Sequence, residues 1–209
     1  MKVYLETDRL ILRNFTPDDV DDLTELDSDP EVMRFINGGI AISRDAIAND
    51  FLPYAMSYND TLENFGFWAI VERQSQEFVG WIFLRPEVDF KLLQQLDFAE
   101  QGAVELGYRI RQNSWNQGYT TEAAQALVNK SFTESNTEKI VAWALTENKA
   151  STRVMEKIGL KLQQEYTVTA DIVPTNLLDN SLVQNLLDRQ LVKYQLNRTT
   201  WKSKQSLGK

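Results

Sequence analysis

The stretch that decides the fold is Leu106–Ala126, which reads LGYRIRQNSWNQGYTTEAAQA. It continues a strand pattern that begins at Val104, and the apolar residues after it recur with a period of 3.6 instead of 2. The stretch therefore predicts a strand over Val104–Ile110, a loop, and a helix that opens at about Thr120–Thr121. Because the first N–H groups of a helix lack partners and the helix dipole is positive there, this junction predicts a site for phosphate.

The loop has residues that suit contact with a ligand through the main chain. Gly118 lets the backbone approach a ligand closely, and Asn116 is among the non-glycine residues that best adopt a positive φ. Thr120 and Thr121 are small enough not to block an anion. The loop is not a Walker loop, since no Gly-Lys-Ser/Thr follows, and its single glycine does not make a dinucleotide fingerprint. Many loops join a strand to a helix, so the loop alone identifies no function.

The composition of the 209-residue chain excludes several classes of chemistry. With no cysteine and no histidine, it has no disulfide, no thiolate nucleophile, no Ser-His-Asp triad and no His-bound zinc. Acid–base chemistry must therefore use carboxylates, tyrosine, lysine, main-chain groups or water. The net charge of −8 argues against nucleic acid as the main partner, because phosphate contacts need a basic surface, and it permits a cationic partner.

The order of the predicted elements indicates an α/β or α+β fold, with a single central sheet and helices against it. Thr16 and Asp29-Pro30 are start signals for two helices, and Ser43 is a start signal for a third. The continuous apolar run Ile140–Leu145 predicts a strand covered on both faces. The other strand predictions are Leu10–Arg13, Phe67–Val71, Phe78–Leu84, Gln164–Val168 and Leu191–Leu196. The other helix predictions are a face from Ala123 to Phe132, a short helix over Ser151–Ile158 and a helix within residues 175–188.

We expect one domain over residues 1–199 and a short basic tail at 200–209 that frays. Residues 87–103 form an unusually long polar connection. The N-terminus has no apolar stretch of the kind found in signal peptides, and the longest apolar run is far shorter than the roughly 20 residues of a membrane span. A cytoplasmic location without membrane contact is therefore the default expectation.

Five segments resemble, in the same order, the motifs of one enzyme family. They are ETDRLILRNFTPDD, SDPEVMRFI, LGYRI followed by WNQGYTTEA, ENKASTRVMEKIGL and LVKYQLNRTTW. On these segments, which are spread over nearly the whole chain, the sequence resembles the GNAT superfamily of acyl-CoA N-acyltransferases, in the RimJ/RimL-like branch that acetylates ribosomal-protein N-termini. The resemblance implies the GNAT-type fold, a single mixed sheet flanked by helices.

The resemblance also implies an N-acetyltransferase. Acetyl-CoA, as co-substrate, and a primary amine bind together, and the amine of a protein N-terminus or small molecule attacks the thioester directly, without a metal. The main chain of Tyr108, Arg109 and Ile110 matches the strand that holds the pantetheine arm and polarises the thioester carbonyl. Asn148, with Ser151 nearby, matches a polar contact to the CoA arm. The pyrophosphate contacts match Trp115, Asn116, Gln117, Gly118, Tyr119 and Thr120.

The sequence departs from the family pattern at three positions. Asn116 stands where many relatives have glycine, and Thr120 where glycine or alanine is usual, and both are compatible with main-chain donors. Met155 stands seven residues after Asn148, where many members have a tyrosine that protonates the leaving thiolate. These departures keep open a second interpretation, a non-catalytic acyl-CoA-binding or sensor domain. A third interpretation, an interaction protein, has only the acidic surface in its favour.

Two residues are candidates for proton transfer. Glu105, on the strand before the loop, is the candidate base or the holder of a water that deprotonates the amine, and the alternatives are pairing in the sheet or simple exposure. Tyr166 is a second candidate proton donor near the acceptor. Trp115 is expected to pack beneath the loop rather than stack on a ligand. Without the family pattern, Asn148 reads as a plain turn residue.

The segment Thr16–Glu31 contains eight acidic residues and no basic one. The simplest interpretation is a solvated helix face. The functional interpretation is an electrostatic funnel that attracts a cationic acceptor. Many family members dimerise, so a homodimer is a candidate assembly, and the sequence indicates no interface for it.

Overall fold

The computed structural model describes residues 2–61 and 64–207 of the chain. The strands within these residues are β1 Val3–Glu6, β2 Leu10–Asn14, β3 Gly66–Glu72, β4 Phe78–Pro86, β5 Ala103–Ile110, β6 Lys139–Leu145, β7 Lys161–Thr167 and β8 Gln190–Asn197. They form one sheet in the order β1-β2-β3-β4-β5-β6-β8-β7. The sheet is mixed, because β5 and β6 run parallel whereas β6 and β8 run antiparallel. Helices flank it, and this architecture confirms the predicted fold class.

The helices of the described residues are α1 Val20–Ser28, α2 Pro30–Asn37, α3 Arg44–Ala46, α4 Leu52–Thr61, α5 Lys91–Gln95, α6 Tyr119–Glu134, α7 Lys149–Lys157, α8 Ser181–Leu186 and α9 Arg198–Leu207. Local signals set their ends. The Asp29 carboxylate accepts hydrogen bonds from the first turn of α2, Pro30 is its first residue, and Gly38 ends it in the left-handed conformation. The Ser43 hydroxyl caps α3, and the π-helical turn Ile47–Phe51 leads from α3 to α4.

The first of two compact units comprises Met1–Leu84 and Gly107–Leu127. In this unit β1, β2, β3 and the first part of β4 pair as an antiparallel meander. Aromatic side chains dominate the core: Phe67 stacks on Phe83 with ring centroids 5.0 Å apart, and Trp81 packs in the same cluster. Burial of such large rings stabilises the unit through the hydrophobic effect.

The second unit comprises Arg85–Leu106 and Val128–Lys209. Here β6 pairs in parallel with Ala103–Glu105 of β5 and antiparallel with β8, and β8 pairs with β7. Residues 140–142 of β6 are fully buried. The continuous apolar run is therefore a covered strand, as predicted.

The C-terminal segment differs from its prediction. Fraying is wrong for Arg198–Leu207, which form α9 and cross the predicted boundary at residue 199. The Trp201 Nε1 donates a hydrogen bond to Asn129 Oδ1 at 2.9 Å, and its ring lies 5.5 Å from that of Phe132. One indole in a polar segment thus anchors the helix to the second half of α6. Residues 208 and 209 lie outside the described part of the chain.

Other segments differ in detail. The four residues of the short edge strand β1 are all exposed or half-buried, and the apolar pattern did not predict this strand. The long connection at 87–103 contains a 3-10 turn, Glu87–Asp89, and α5. The helix predicted within 175–188 consists of a 3-10 turn, Thr175–Leu177, and the six-residue α8. Within the ranges that the structure describes, no helix has the length and apolar character to cross a membrane.

Candidate active site

The loop before α6 has the main-chain geometry that the sequence predicted. Asn116 and Gly118 both have positive φ values, +61° and +82°. The helix starts at Tyr119, one residue before the predicted start, and the Glu122 N–H donates to the Gly118 carbonyl at 3.0 Å. The N–H groups that precede Glu122 in this turn have no carbonyl of the helix to bind. The start of α6 therefore offers main-chain donors and a positive dipole end to an anion.

Arg9 braces this loop, and sequence reasoning missed it. Its Nη1 donates to the Gln117 carbonyl at 3.0 Å, its Nε donates to Glu122 Oε2 at 2.7 Å, and its guanidinium lies 4.8 Å from the centroid of the Tyr119 ring. The Arg9 side chain is 46% exposed, and its Nη2 is 3.4 Å from where a Cβ on Gly118 would stand. A cation therefore lies beside the open side of the loop, which fits an anionic diphosphate.

The Glu122 carboxylate holds the other end of this brace. Its Oε1 accepts hydrogen bonds from the Thr7 hydroxyl at 2.6 Å and from the Arg9 N–H at 3.0 Å. Burial acts to raise the pKa of Glu122, but the hydrogen bonds from Thr7 and Arg9 and the charge of Arg9 outweigh it and hold the pKa below its usual value. The brace is therefore an ionised contact at neutral pH.

Trp115 does not pack beneath the loop, so that prediction is wrong. Its side chain is 39% exposed. The indole Nε1 donates a hydrogen bond to the Ile110 carbonyl at 2.8 Å. This bond ties the loop to the end of β5.

The end of β5 carries Tyr108, Arg109 and Ile110. These residues lie beyond the last registered pair of the β5–β6 ladder, which is Glu105 with Val141. Only glycine fits at residue 107 of the same strand, because a Cβ there would stand 2.2 Å from the Phe83 ring. The Leu-Gly-Tyr pattern is thus explained by close packing of β5 on an aromatic side chain.

The Arg109 side chain belongs to a cluster with Asp27 and Trp81, which we call the open cluster. Arg109 Nη1 lies 2.6 Å from Asp27 Oδ2, and its guanidinium carbon is 5.0 Å from the centroid of a Trp81 ring. All three side chains are largely buried. Yet Asp27 Oδ1, Trp81 Nε1 and Arg109 Nε have no hydrogen-bond partner in the part of the chain that the structure describes. Each such atom costs about 1–3 kcal/mol when it stays unpaired.

These features agree with comparisons to known proteins. Residues 9–161 match the family model described as the acetyltransferase (GNAT) domain. The chain belongs to the GNAT acetyltransferase family. This match confirms the resemblance, and it identifies the protein as an enzyme that transfers an acetyl group to nitrogen.

Individual relatives agree with the family model. YnaD of Bacillus subtilis (strain 168), named an uncharacterized N-acetyltransferase, is 33% identical over 159 residues, which cover 76% of this chain and 83% of YnaD. FsC-acetyl coenzyme A-N(2)-transacetylase of Aspergillus fumigatus is 27% identical over 177 residues, 85% of this chain and 68% of that protein. The structure of RimL, a ribosomal L7/L12 alpha-N-protein acetyltransferase, in complex with coenzyme A has a TM-score of 0.71 at 14% identity and covers 95% of this chain and 99% of RimL. That likeness shows that the two proteins share a fold.

The candidate base of this GNAT enzyme, Glu105, is buried and paired. Arg85 Nε donates a hydrogen bond to Glu105 Oε2 at 2.7 Å. Burial raises the pKa of Glu105, and the charge and hydrogen bond of Arg85 oppose that rise without cancelling it. Simple exposure is therefore wrong, and pairing in the sheet is confirmed. A carboxylate with a raised pKa is also what a general base near neutral pH requires.

A second buried cluster of the acetyltransferase consists of Glu87, Trp143 and Lys193, and we call it the closed cluster. Lys193 Nζ lies 2.9 Å from the Glu87 carboxylate, Trp143 Nε1 donates to Glu87 Oε1 at 2.7 Å, and the Glu100 N–H donates to Glu87 Oε2 at 2.8 Å. Glu87 and Lys193 are almost completely buried. Tyr166 packs against Trp143, and burial, Glu87 and Glu100 raise the pKa of the tyrosine, so its hydroxyl stays protonated at neutral pH.

Asn148 and Ser151 lie at the start of α7. The Asn148 side-chain oxygen accepts a hydrogen bond from the Ser151 N–H at 3.1 Å, so Asn148 caps the helix. The cap uses Oδ1, and a contact between either residue and the CoA arm stays a prediction. Met155, which replaces the tyrosine of many GNAT enzymes, is buried on the same helix.

The acidic segment of the enzyme is largely neutralised by arginines. Asp19 is buried and pairs with Arg13 at 2.5 Å. Asp22 and Glu25 both pair with Arg111, at 2.8 and 2.7 Å. The solvated-face interpretation is therefore wrong for Asp19, and for Asp27 of the open cluster. These pairs reduce the negative potential that the sequence suggested.

Proposed function

We propose that this enzyme transfers the acetyl group of acetyl-CoA to a primary amine, which attacks directly in a ternary complex. The loop before α6 carries the proposal. Its two positive-φ residues, the N–H groups at the helix start and the half-exposed Arg9 cation together suit a diphosphate. The proposed pyrophosphate contacts, mainly through the main chain, are Trp115, Asn116, Gln117, Gly118, Tyr119 and Thr120.

The chemistry needs few protein groups, because the thioester is already activated. The amine lone pair attacks the carbonyl carbon, a C–N bond forms, and the C–S bond breaks to release CoA. The amine loses one proton, and the CoA thiolate takes one up. The N–H groups of Tyr108, Arg109 and Ile110 are proposed to hold the pantetheine arm and the developing oxyanion. Asn148 and Ser151 are proposed to contact the CoA arm.

Glu105 is the proposed acceptor of the amine proton, directly or through a water. Its burial and raised pKa support this role. Tyr166 stays the candidate donor, because its hydroxyl is protonated at neutral pH. Since the base acts in its ionised form, we expect kcat/KM to fall as the pH drops below the pKa of Glu105.

The test of the base is Glu105→Gln, which keeps an oxygen that can accept the Arg85 hydrogen bond. We expect a loss of about 10²–10⁴ in kcat/KM and loss of the acidic limb of the pH profile. Glu138→Gln is the control, because the Glu138 side chain is exposed and pairs only with Arg198 among the ion pairs of the described residues. An unchanged rate and pH profile in Glu105→Gln would show that Glu105 is not the base.

The overall proposal is tested by acetyl-CoA binding followed by a thiol-release assay over amines. Because the chain has no cysteine, a thiol reagent reports only the CoA that is released. We expect acetyl-CoA to raise the melting temperature and at least one amine to give turnover. Stabilisation without turnover on any amine supports the sensor interpretation instead, and absence of stabilisation by every acyl-CoA contradicts both.

The acceptor is proposed to be an amine that is cationic before attack. RimL is named for a protein N-terminus and the Aspergillus relative for FsC, so the names of relatives do not agree on one acceptor class. If the acidic segment steers a cationic amine, higher salt raises KM for that amine and leaves KM of a neutral amine unchanged. Equal salt dependence for both would contradict steering.

A further inference from the structure

Strand β4 is irregular at its first residues. Gly80 pairs with Ile70 of β3, but Phe78 pairs with the residue that follows Ile70. Val79 between them is therefore an extra residue, which makes a β-bulge. Gly80 itself has a φ of +152°, which side chains rarely adopt. A glycine at a bulge often marks the close approach of another main chain, and the strand on the other side of β4 is β5.

The main chain of β5 does pass very close to Gly80. A Cβ at Gly80 would stand 2.2 Å from the Arg109 carbonyl oxygen and 2.8 Å from the Ile110 Cα. Both are main-chain atoms, so no rotation of a side chain can relieve the contact. Any other residue at this position must displace one of the two strands by about 1.2 Å to restore an ordinary contact of 3.4 Å. Gly80 therefore permits the position that the end of β5 occupies.

The main-chain groups of β5 alternate between its two edges. In a strand, the N–H and C=O of one residue point to the same edge, and those of the next residue point to the opposite edge. The Arg109 carbonyl faces β4, and the Arg111 N–H donates to a carbonyl of β4 at 2.9 Å. Ile110 lies between these two residues, so its N–H and C=O face away from β4. This geometry directs one of the proposed thioester donors, the Ile110 N–H, to the opposite edge.

That opposite edge is held by Trp115. The indole Nε1 donates to the Ile110 carbonyl at 2.8 Å, and the 3-10 turn Gln112–Ser114 brings the indole back to the strand. The end of β5 is therefore fixed from both edges. Gly80 lets β4 meet it on one edge, and the indole donates to it on the other.

Resting on the proposed function, we infer that Gly80 and Trp115 are positioning residues for the thioester. They fix the Ile110 main chain so that its N–H points at the carbonyl oxygen of bound acetyl-CoA. Neither side chain has to touch the reacting atoms. A main-chain donor has no rotamer to adjust, so its aim depends on the strand that carries it. A displacement of about 1 Å can lower the rate of such a step about 100-fold.

Infrared difference spectroscopy tests the aim of this donor without an acceptor amine. Acetyl-CoA that is isotopically labelled at the acetyl carbonyl carbon is compared with unlabelled acetyl-CoA, each bound to the enzyme, which isolates the thioester C=O band. A hydrogen bond to the oxygen lowers the stretching frequency, so we expect a lower frequency in the complex than in free acetyl-CoA. Gly80→Ala should lose most of this shift. Its affinity for CoA, which has no acetyl carbonyl, should fall only a few-fold, and kcat with any amine that gives turnover should fall about 100-fold.

Gly102→Ala is the matched control for Gly80→Ala. Gly102 also has a positive φ, +82°, and directly precedes β5, so alanine there also strains the main chain. Its would-be Cβ has no atom within 4 Å, so the strain comes without a collision between strands. We expect Gly102→Ala to keep the carbonyl shift and the kcat of the parent.

Trp115→Phe covers the case in which Gly80→Ala does not fold. It removes the donor to the Ile110 carbonyl from a residue that is 39% exposed, so the fold should tolerate the change. We expect this variant to lose part of the carbonyl shift. Trp201→Phe is its control, because Trp201 Nε1 donates a hydrogen bond of nearly the same length, 2.9 Å, to Asn129 of α6. It should leave the shift unchanged.

The outcomes separate this inference from the proposed function. A carbonyl shift that survives in Gly80→Ala, or in Trp115→Phe, overturns the inference for that residue and leaves the proposed function intact. Binding of acetyl-CoA to the parent without a carbonyl shift overturns it for both residues. A loss of CoA affinity as large as the loss of kcat indicates a merely structural role, which overturns it too. Absence of acetyl-CoA binding to the parent overturns the proposed function as well.

Discussion

The open and closed clusters use the same three kinds of residue with opposite results. Each cluster joins an acidic side chain, a basic side chain and a tryptophan within its own unit. In the closed cluster, Glu87 accepts hydrogen bonds from Lys193, Trp143 and the Glu100 main chain. In the open cluster, three polar atoms stay without partners in the described chain. A fully paired network is stabilising, whereas an incompletely paired network keeps atoms that can still bind a further partner such as water.

The largest effect that can break this comparison is expected from Glu87→Leu. The change removes the close counter-charge of the buried Lys193 ammonium and leaves only Glu100, at 3.9 Å, so we expect the free energy of unfolding to fall by up to about 3–5 kcal/mol. Urea denaturation measures it. The control is Glu134→Gln in the exposed pair with Lys130, where about 0.5 kcal/mol or less is expected.

Replacing both charges sharpens the interpretation. The double variant Glu87→Leu with Lys193→Met removes the unpaired charge, so we expect it to recover much of the lost stability. A Glu87→Leu protein as stable as the parent would show that the cluster contains no obligatory pair, and the contrast between the two clusters would disappear.

A matched pair of tryptophan variants tests the contrast directly. Trp143→Phe removes a donor to the Glu87 carboxylate, and a hydrogen bond to a charged group contributes roughly 1.5–3 kcal/mol. Trp81→Phe removes a donor that has no partner in the described chain, so its loss should be limited to packing. Urea denaturation of both proteins without substrate measures the difference. Equal losses would contradict the assignment of one cluster as closed and the other as open.

The features that the sequence predicted depend on residues close together in the chain. The cap at Asp29 and the positive φ of Asn116 each follow from a side chain and its immediate neighbours. The strand–loop–helix junction is of the same kind, which is why the proposed phosphate site was predictable. The period of apolar residues likewise predicted the types of most elements.

The features that the sequence missed depend on pairs far apart in the chain. Arg9 and Glu122 are separated by 113 positions, and Glu87 and Lys193 by 106. Charged residues in a sequence read as surface residues, so no local pattern shows that an acid such as Asp27 is buried. Similarly, the polar composition of α9 indicated a frayed tail, because no local pattern shows that Trp201 contacts α6.

The loop extends the comparison to main-chain donors, with a smaller expected effect. Gly118→Val places a β-branched residue at a φ of +82°, and relief of that strain shifts the N–H groups before α6. We expect acetyl-CoA affinity to fall about tenfold, since about 1.4 kcal/mol of strain corresponds to that factor. Gly102→Val is the control, because Gly102 has the same φ and no atom within 4 Å of its would-be Cβ. Equal affinity losses in both would place the ligand elsewhere.

The smallest effect is expected at Glu122. Its carboxylate is paired with Arg9 and Thr7, and it lies next to the proposed anion site at the start of α6. Glu122→Gln weakens the contact to Arg9, and because Arg9 is half exposed we expect less than about 1 kcal/mol of lost stability at pH 7. The pKa of Glu122 is lowered in the folded protein. The ionised carboxylate therefore contributes to stability above its pKa in the unfolded chain, about 4.3. That contribution is lost as the pH falls through the pKa of the folded protein. The stability difference between parent and variant should therefore shrink as the pH is lowered. The control Glu6→Gln, at an exposed pair 3.8 Å from Arg73, should show almost no stability difference at any pH.

Because Arg9 also donates a hydrogen bond to the Gln117 carbonyl, acetyl-CoA affinity should fall a few-fold in Glu122→Gln and stay unchanged in Glu6→Gln. A stability difference that does not change with pH, or an affinity unchanged by the variant, would separate the brace from the loop and leave the main-chain donors as the whole of the anion site.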